Sequence, residues 1–179
     1  MDEVHVSFVH RDGGTHGAMQ DLPQISAEET GWGMLRTGTR ANGGVRLSLH
    51  YAPNCTRVLV RSSAGMDGIG GWAEIYFSFT PIDDENHLWM ITSHMKVTGK
   101  EAEAFRDKRK AFYASMENDP SSLEVALELM AGKGVYQNLH HPDLAIVQDI
   151  AVQAGQGRTV DRALERLGRS DNGIIAWRK

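Results

Sequence analysis

From residue 34 onward the chain alternates short apolar runs with turn residues. Runs at 34–40, 45–51, 57–61, 72–80 and 88–97 have period-two or continuous apolar content, which predicts strands. Between them stand Ala41-Asn42-Gly43-Gly44, Pro53-Asn54 and Asp83-Asp84-Glu85-Asn86, residue types that form hairpin turns, so consecutive strands are expected to be antiparallel neighbours. After Thr98 the period lengthens. Thr98-Gly99-Lys100-Glu101 has the spacing of a capping box, and the segment to about Glu117 carries an apolar stripe of Ala104, Phe105, Phe112 and Met116, which predicts a helix. A second helix is predicted over 121–131, with Leu123, Leu127 and Met130 on one side and a stop at Gly132-Lys133-Gly134. Pro142 opens a third, 143–153, and 159–167 reads as a short fourth ending at Gly168. Residues 12–33, with Gly13-Gly14, Gly17 and Pro23, read as a long irregular loop. Strands followed by helices make an α+β domain.

Length and charge narrow the function. A chain of 179 residues is expected to form one domain with one core. Its net charge of −4 and pI near 6.0 supply no basic footprint for nucleic acid. No apolar run is long enough to cross a bilayer. The single cysteine, Cys55, excludes an internal disulfide, and the start of the chain lacks the pattern of a secretory leader, so the expected compartment is the cytoplasm.

The first ten residues contain the most specific chemistry. Asp2, His5 and His10 are set among Val4, Val6, Phe8 and Val9, so the imidazoles lie in apolar surroundings that invite a metal. Two histidines leave a first-row metal under-coordinated, and the common open redox site adds one carboxylate, the facial arrangement of non-haem iron. On an ideal helix His5 and His10 would point about 140° apart, so a helix here must bend or end between them. Asp149 offers the carboxylate, among Leu144, Ile146, Val147, Ile150 and Val152. An unpaired buried carboxylate is costly. Spacing alone leaves two readings open, an acid on the exposed face of an amphipathic helix or one that points inward and meets a cation.

The pattern Asp2-x-x-His5-x4-His10, with Gln148-Asp149-Ile150-Ala151-Val152-Gln153-Ala154-Gly155-Gln156-Gly157 about 140 residues later, resembles the catalytic domain of Rieske non-haem iron oxygenases of the phthalate dioxygenase and aryl-ether O-demethylase type. Asp161-Arg162, Glu165-Arg166-Leu167-Gly168, Ser170-Asp171-Asn172-Gly173-Ile174-Ile175 and the turn at Pro81-Ile82-Asp83 extend the likeness over nearly the whole chain. The resemblance implies a helix-grip (START-like) fold, an antiparallel sheet closed over a long helix, in a form shortened relative to the family. It implies one Fe(II) held by His5, His10 and Asp149, with Asp2 bridging electron transfer to the iron. It further implies ring hydroxylation or O-demethylation of an aromatic compound with dioxygen. A Rieske [2Fe-2S] cluster takes two cysteines and two histidines, and the chain has one cysteine. The cluster and its reductase are therefore expected in trans, and residues 1–179 form a single catalytic domain.

Other residues have simpler readings. His140-His141 reads as a helix-start surface, His50 and His94 as cross-strand polar contacts or, for one of them, a cavity residue, and His16 and His87 as solvated loop residues. Trp72, Tyr76, Phe77, Phe79 and Trp89 line an aromatic pocket or fill the core. Cys55 has no acid or base arrayed beside it, and 100–110 is a solvated helix face. The loop at 12–33 and the helix at 121–131 are expected to shape substrate access. Two rivals share the same residues: a non-catalytic helix-grip module that binds an apolar ligand, and a zinc hydrolase using the same three ligands.

Overall fold

The computed structural model describes residues 3–10, 22–61, 72–135 and 139–178. Its centre is a six-stranded antiparallel sheet whose spatial order is its chain order: β1 (Gln24–Thr30), β2 (Gly33–Thr39), β3 (Val45–Tyr51), β4 (Cys55–Arg61), β5 (Trp72–Pro81) and β6 (His87–Met95). Register follows the pleat. Met34, His50, Thr56 and Phe77 form one cross-strand row, and Arg36, Ser48, Val58 and Ile75 the next. Directly paired residues share a face, so all eight side chains stand on the same side of the sheet.

The turns use the expected chemistry. At the β2–β3 corner the Gly44 amide donates to Asn42 Oδ1 at 2.8 Å, and Gly43 takes a positive φ of 80°. At the β5–β6 corner Asp83 Oδ1 accepts from the amides of Glu85 and Asn86 at 2.9 and 2.7 Å. Those donors hold the Asp83 carboxyl below the usual carboxylate range. Gly33 begins β2 at φ 144°, and a Cβ there would overlap the carbonyl oxygen of His50.

The helices are α1 (Glu3–Val9), α2 (Gly99–Ser115), α3 (Ser122–Met130), α4 (Leu144–Ala154) and α5 (Asn172–Trp177). The capping box falls at α3, where Ser121 and Glu124 satisfy each other's backbone amides. The Thr98 side chain makes no such bond at the start of α2, although its spacing to Glu101 is the same. α3 packs on α4, Ala126 and Val147 being buried on the two helices, and α5 lies against β1 and β2. The remaining buried apolar side chains include Val6, Met34, Val58, Ala73 and Phe77. No helix among the described residues is long and apolar enough to cross a membrane.

Three expectations are corrected. Within the anticipated loop at 12–33, Gln24–Thr30 is the edge strand β1, paired along its whole length with β2. Its sequence QISAEET has only Ile25 and Ala27 to mark a period of two, because an edge strand with polar neighbours needs little more. Residues 11–21 lie outside the described residues. The fourth helix at 159–167 is only a 3-10 turn at Arg162–Leu164, capped by Asp161 Oδ1 on the Ala163 amide at 2.9 Å. The true last helix, α5, comes later. The stripe on α2 meets no core: none of its residues is buried.

Candidate metal centre

α1 stops at Val9, and His10 is the first residue beyond it. The chain direction therefore changes between the two histidines, as their five-residue spacing requires. Their rings meet edge to face, with centroids 5.2 Å apart and planes at 75°. Both Nε2 atoms turn to one oxygen. His10 Nε2 lies 3.3 Å from Asp149 Oδ1, and His5 Nε2 lies 3.5 Å from the same atom. Asp149 thus takes the inward of its two possible positions, with a side chain only 18% exposed.

α4 presents this acid because its buried side carries Val147 and Gln148, and Asp149 follows at the edge of that side. Its start is fixed by His141. The Nε2–H of that ring donates to the Pro120 carbonyl at 3.0 Å, and its Nδ1 accepts from the Asp143 amide at 3.0 Å. This is the helix-start role expected of the His140-His141 pair.

Gln148 is the residue the sequence reading left without a role. It is 1% exposed, and its Oε1 lies 2.9 Å from His10 Nδ1 across 138 residues of chain. An amide oxygen only accepts, so Nδ1 carries a proton. Nε2 then faces Asp149 either as a lone pair or as the second N–H of an imidazolium. A lone pair against a carboxylate oxygen needs a cation between them. A signal was available in α4, where Gln148 and Asp149 interrupt an apolar run that extends from Leu144 to Val152.

Electrostatics point the same way. Burial alone would lower the His10 pKa, but the hydrogen bonds to Asp149 and Gln148 and the carboxylate charge together raise it. Burial alone would raise Asp149, yet the two imidazoles hold it well below the usual carboxylate range. The carboxylate is therefore ionised throughout the neutral range and attracts either a proton on His10 or a metal cation. A bound metal displaces that proton, which makes affinity rise with pH.

The residues fit a divalent ion. The candidate donor atoms of His5, His10 and Asp149 all lie within 4.8 Å of one another. For bonds of about 2.1 Å, adjacent donors stand roughly 3.0–3.4 Å apart, close to both histidine–aspartate separations. Two imidazoles and one carboxylate match the open non-haem iron set, and the Gln148 bond is the outer-sphere partner that such ligands require. Asp2, the candidate electron-relay residue, lies outside the described residues, as does His16.

The aromatic residues do not form one pocket. Phe77, Phe79 and Trp89 stack along one face, with centroids 6.1 Å (Phe77–Trp89) and 5.9 Å (Phe79–Trp89) apart. Trp72 and Tyr76, five and one residues before Phe77 on the alternating strand, fall on the other face and are exposed. There Tyr76 and Arg57 hydrogen-bond Glu74. His50 makes the expected cross-strand contact, Nδ1 to Thr56 Oγ1 at 3.0 Å, and also lines a cavity. His87 is the first residue of β6, not part of a loop, and Cys55 is exposed at the start of β4. No protein-family model matches the chain, and no curated protein is significantly similar to it.

Proposed function

We propose that this chain is the iron-bearing catalytic component of a Rieske-type oxygenase, acting on an aromatic compound by ring hydroxylation or O-demethylation. The observation that carries the reading is the convergence of His5, His10 and Asp149, drawn from the two ends of the sequence onto one carboxylate oxygen. Ferrous iron held there supplies the activation of dioxygen, with electrons provided by a cluster protein and a reductase.

Each protein group has its own task in this reading. Asp149 contributes one negative charge, His5 and His10 neutral nitrogens, and Gln148 holds the His10 ring in the orientation that turns Nε2 inward. Three ligands from one side leave the opposite side for dioxygen and substrate. Asp2 retains the relay role that the resemblance gives it. The fold that accompanies this reading is the helix-grip, supported by the antiparallel meander of β1–β6 followed by α2–α5.

The test is an anaerobic Fe(II) titration of the purified chain with His5→Ala, His10→Ala and Asp149→Ala alongside. One iron per chain, lost in each variant, is the expected result. A folded wild-type chain that takes up no iron would overturn the oxygenase reading and leave a helix-grip module for an apolar ligand as the better account.

A further inference from the structure

The meander leaves the sheet with two edges, β1 and β6, and the chain treats them differently. β1 is guarded twice. Its sequence QISAEET sets Glu28 and Glu29 side by side, one on each face, and α5 and the 3-10 turn Arg169–Asp171 lie against it. Charge and cover are the usual protections of an edge against pairing with another chain. β6 carries no such charge. HLWMITSHM runs for nine residues without an aspartate, glutamate, lysine, arginine or proline, and Leu88, Met90 and Ile91 are half-exposed. Among the described residues β5 is the only strand that pairs with it.

The β5–β6 corner fixes which backbone groups of β6 point outward. The Asn86 carbonyl accepts from the Ile82 amide at 2.9 Å, so residue 86 turns its backbone groups toward β5. Alternation then turns Leu88, Met90, Thr92 and His94 the same way, and Trp89, Ile91 and Ser93 outward. The far side of β5 agrees. The Phe79 amide donates to the Asn54 carbonyl at 3.0 Å, toward β4, which leaves Ser78 and Thr80 to bond their partners Met90 and Leu88. Trp89, Ile91 and Ser93 therefore present a row of N–H and C=O groups that no strand among the described residues meets.

We infer that a second copy of this chain pairs with that edge, β6 against β6 about a two-fold axis at Ile91, so that the two six-stranded sheets run on as one. The sequence of the strand decides the occupant. In the antiparallel register centred on Ile91, that residue meets its own copy and Trp89 meets the partner's Ser93, each pair exchanging both backbone bonds. The two Ile91 side chains then meet on the face that Ile91 shares with Phe77. On the other face Met90 stands opposite the partner's Thr92, and Leu88 opposite the partner's His94. No aspartate, glutamate, lysine or arginine is brought opposite another, so nothing in the register repels. β1 is a poor counterpart, because Glu28, Glu29 and α5 guard it and because a β6–β1 contact is head-to-tail, leaving a further β6 edge open at each step. The two-fold contact uses both β6 edges and leaves only the guarded β1 edges outside. The inference goes beyond the oxygenase reading, because β6 supplies none of the candidate metal ligands.

The experiment uses the full chain with a chelator present, so that its outcome is independent of iron. Sedimentation velocity over a range of micromolar concentrations gives the mass, and hydrogen exchange read residue by residue gives the surface. A reversible dimer is the expected result, with the amides of Trp89, Ile91 and Ser93 better protected at high than at low protein concentration. Ile91→Lys removes the apolar pair at the axis and sets two ammonium groups opposite each other, and should raise the dimer dissociation constant about tenfold or more. Ile91 is half-exposed, so the variant should keep its fold by circular dichroism; if it does not, exchange on the unaltered chain decides. A monomer at every concentration, a trimer, a dimer in which those three amides gain no protection, or a folded Ile91→Lys chain that dimerises as tightly as wild type would each overturn the assignment.

Discussion

Replacing Gln148 by Leu tests the candidate metal centre without touching a ligand. The change keeps most of the side-chain volume but removes the acceptor that Gln148 Oε1 offers His10 Nδ1, at 2.9 Å in a setting where Gln148 is 1% and His10 4% exposed. A buried N–H left unsatisfied costs roughly 1–3 kcal/mol. For a domain of this size each kcal/mol corresponds to about 2–4 °C, so thermal denaturation without metal should shift down by about 2–12 °C. The metal reads the second consequence. With the His10 ring no longer held, apparent Fe(II) affinity should fall by about 10–100-fold, the usual effect of losing an outer-sphere partner. Gln148→Glu keeps an acceptor in place and should retain iron binding better than Gln148→Leu. Anaerobic titration of the three proteins, each checked for folding by circular dichroism, gives the ranking. If Gln148→Leu binds iron as wild type does while His10→Ala binds none, the orienting role assigned to the amide is wrong.

Other outcomes follow from single features. Gly33→Ala places a Cβ against the His50 carbonyl in a backbone conformation that L residues rarely adopt, and urea denaturation should show a loss of about 2 kcal/mol or more. Ser121→Ala should cost about 1 kcal/mol through its lost cap, whereas Thr98→Ala, which breaks no cap bond, should be close to neutral in the same assay. His50 gives a pH signature. Its folded pKa of about 4 lies below the ordinary histidine value of 6.5, so the unfolded chain binds the proton first and stability falls as pH drops from 6.5 toward 4. His50→Asn should flatten that part of the curve; an unchanged slope between pH 7 and 4 would mean that His50 is not held neutral by the fold.

The strands were legible where burial alternates strongly. In Gly33–Thr39 three residues are buried on one face, and the hairpin corners announce themselves through Asn42-Gly43 and Asp83–Asn86. β1 was not legible, because a polar edge strand derives its conformation from hydrogen bonds to β2 and leaves little hydrophobic trace. α5 was hidden for a similar reason: its six residues depend on the surface of β1 and β2 that receives them. At α2 the local spacing and the apolar stripe suggest more than the structure uses, since a Thr-x-x-Glu pattern states that a cap is possible and no more. For the site, helical geometry correctly required a break between His5 and His10, but only the fold could choose between the two positions open to Asp149. Gln148 was invisible as a partner because nothing local ties residue 148 to residue 10.

That 138-residue span has a kinetic consequence. Every strand pairing in the sheet joins neighbours in sequence, so β1–β6 can form by successive short loop closures, a route that favours fast folding. Contact between His10 and Gln148 requires the two ends of the chain to meet, the largest loop entropy among the hydrogen bonds described. The sheet is therefore placed to form first and the chain ends to dock last. Substitutions at His10 or Gln148 should then leave the folding rate nearly unchanged and show themselves as faster unfolding, the behaviour of contacts absent from the transition state.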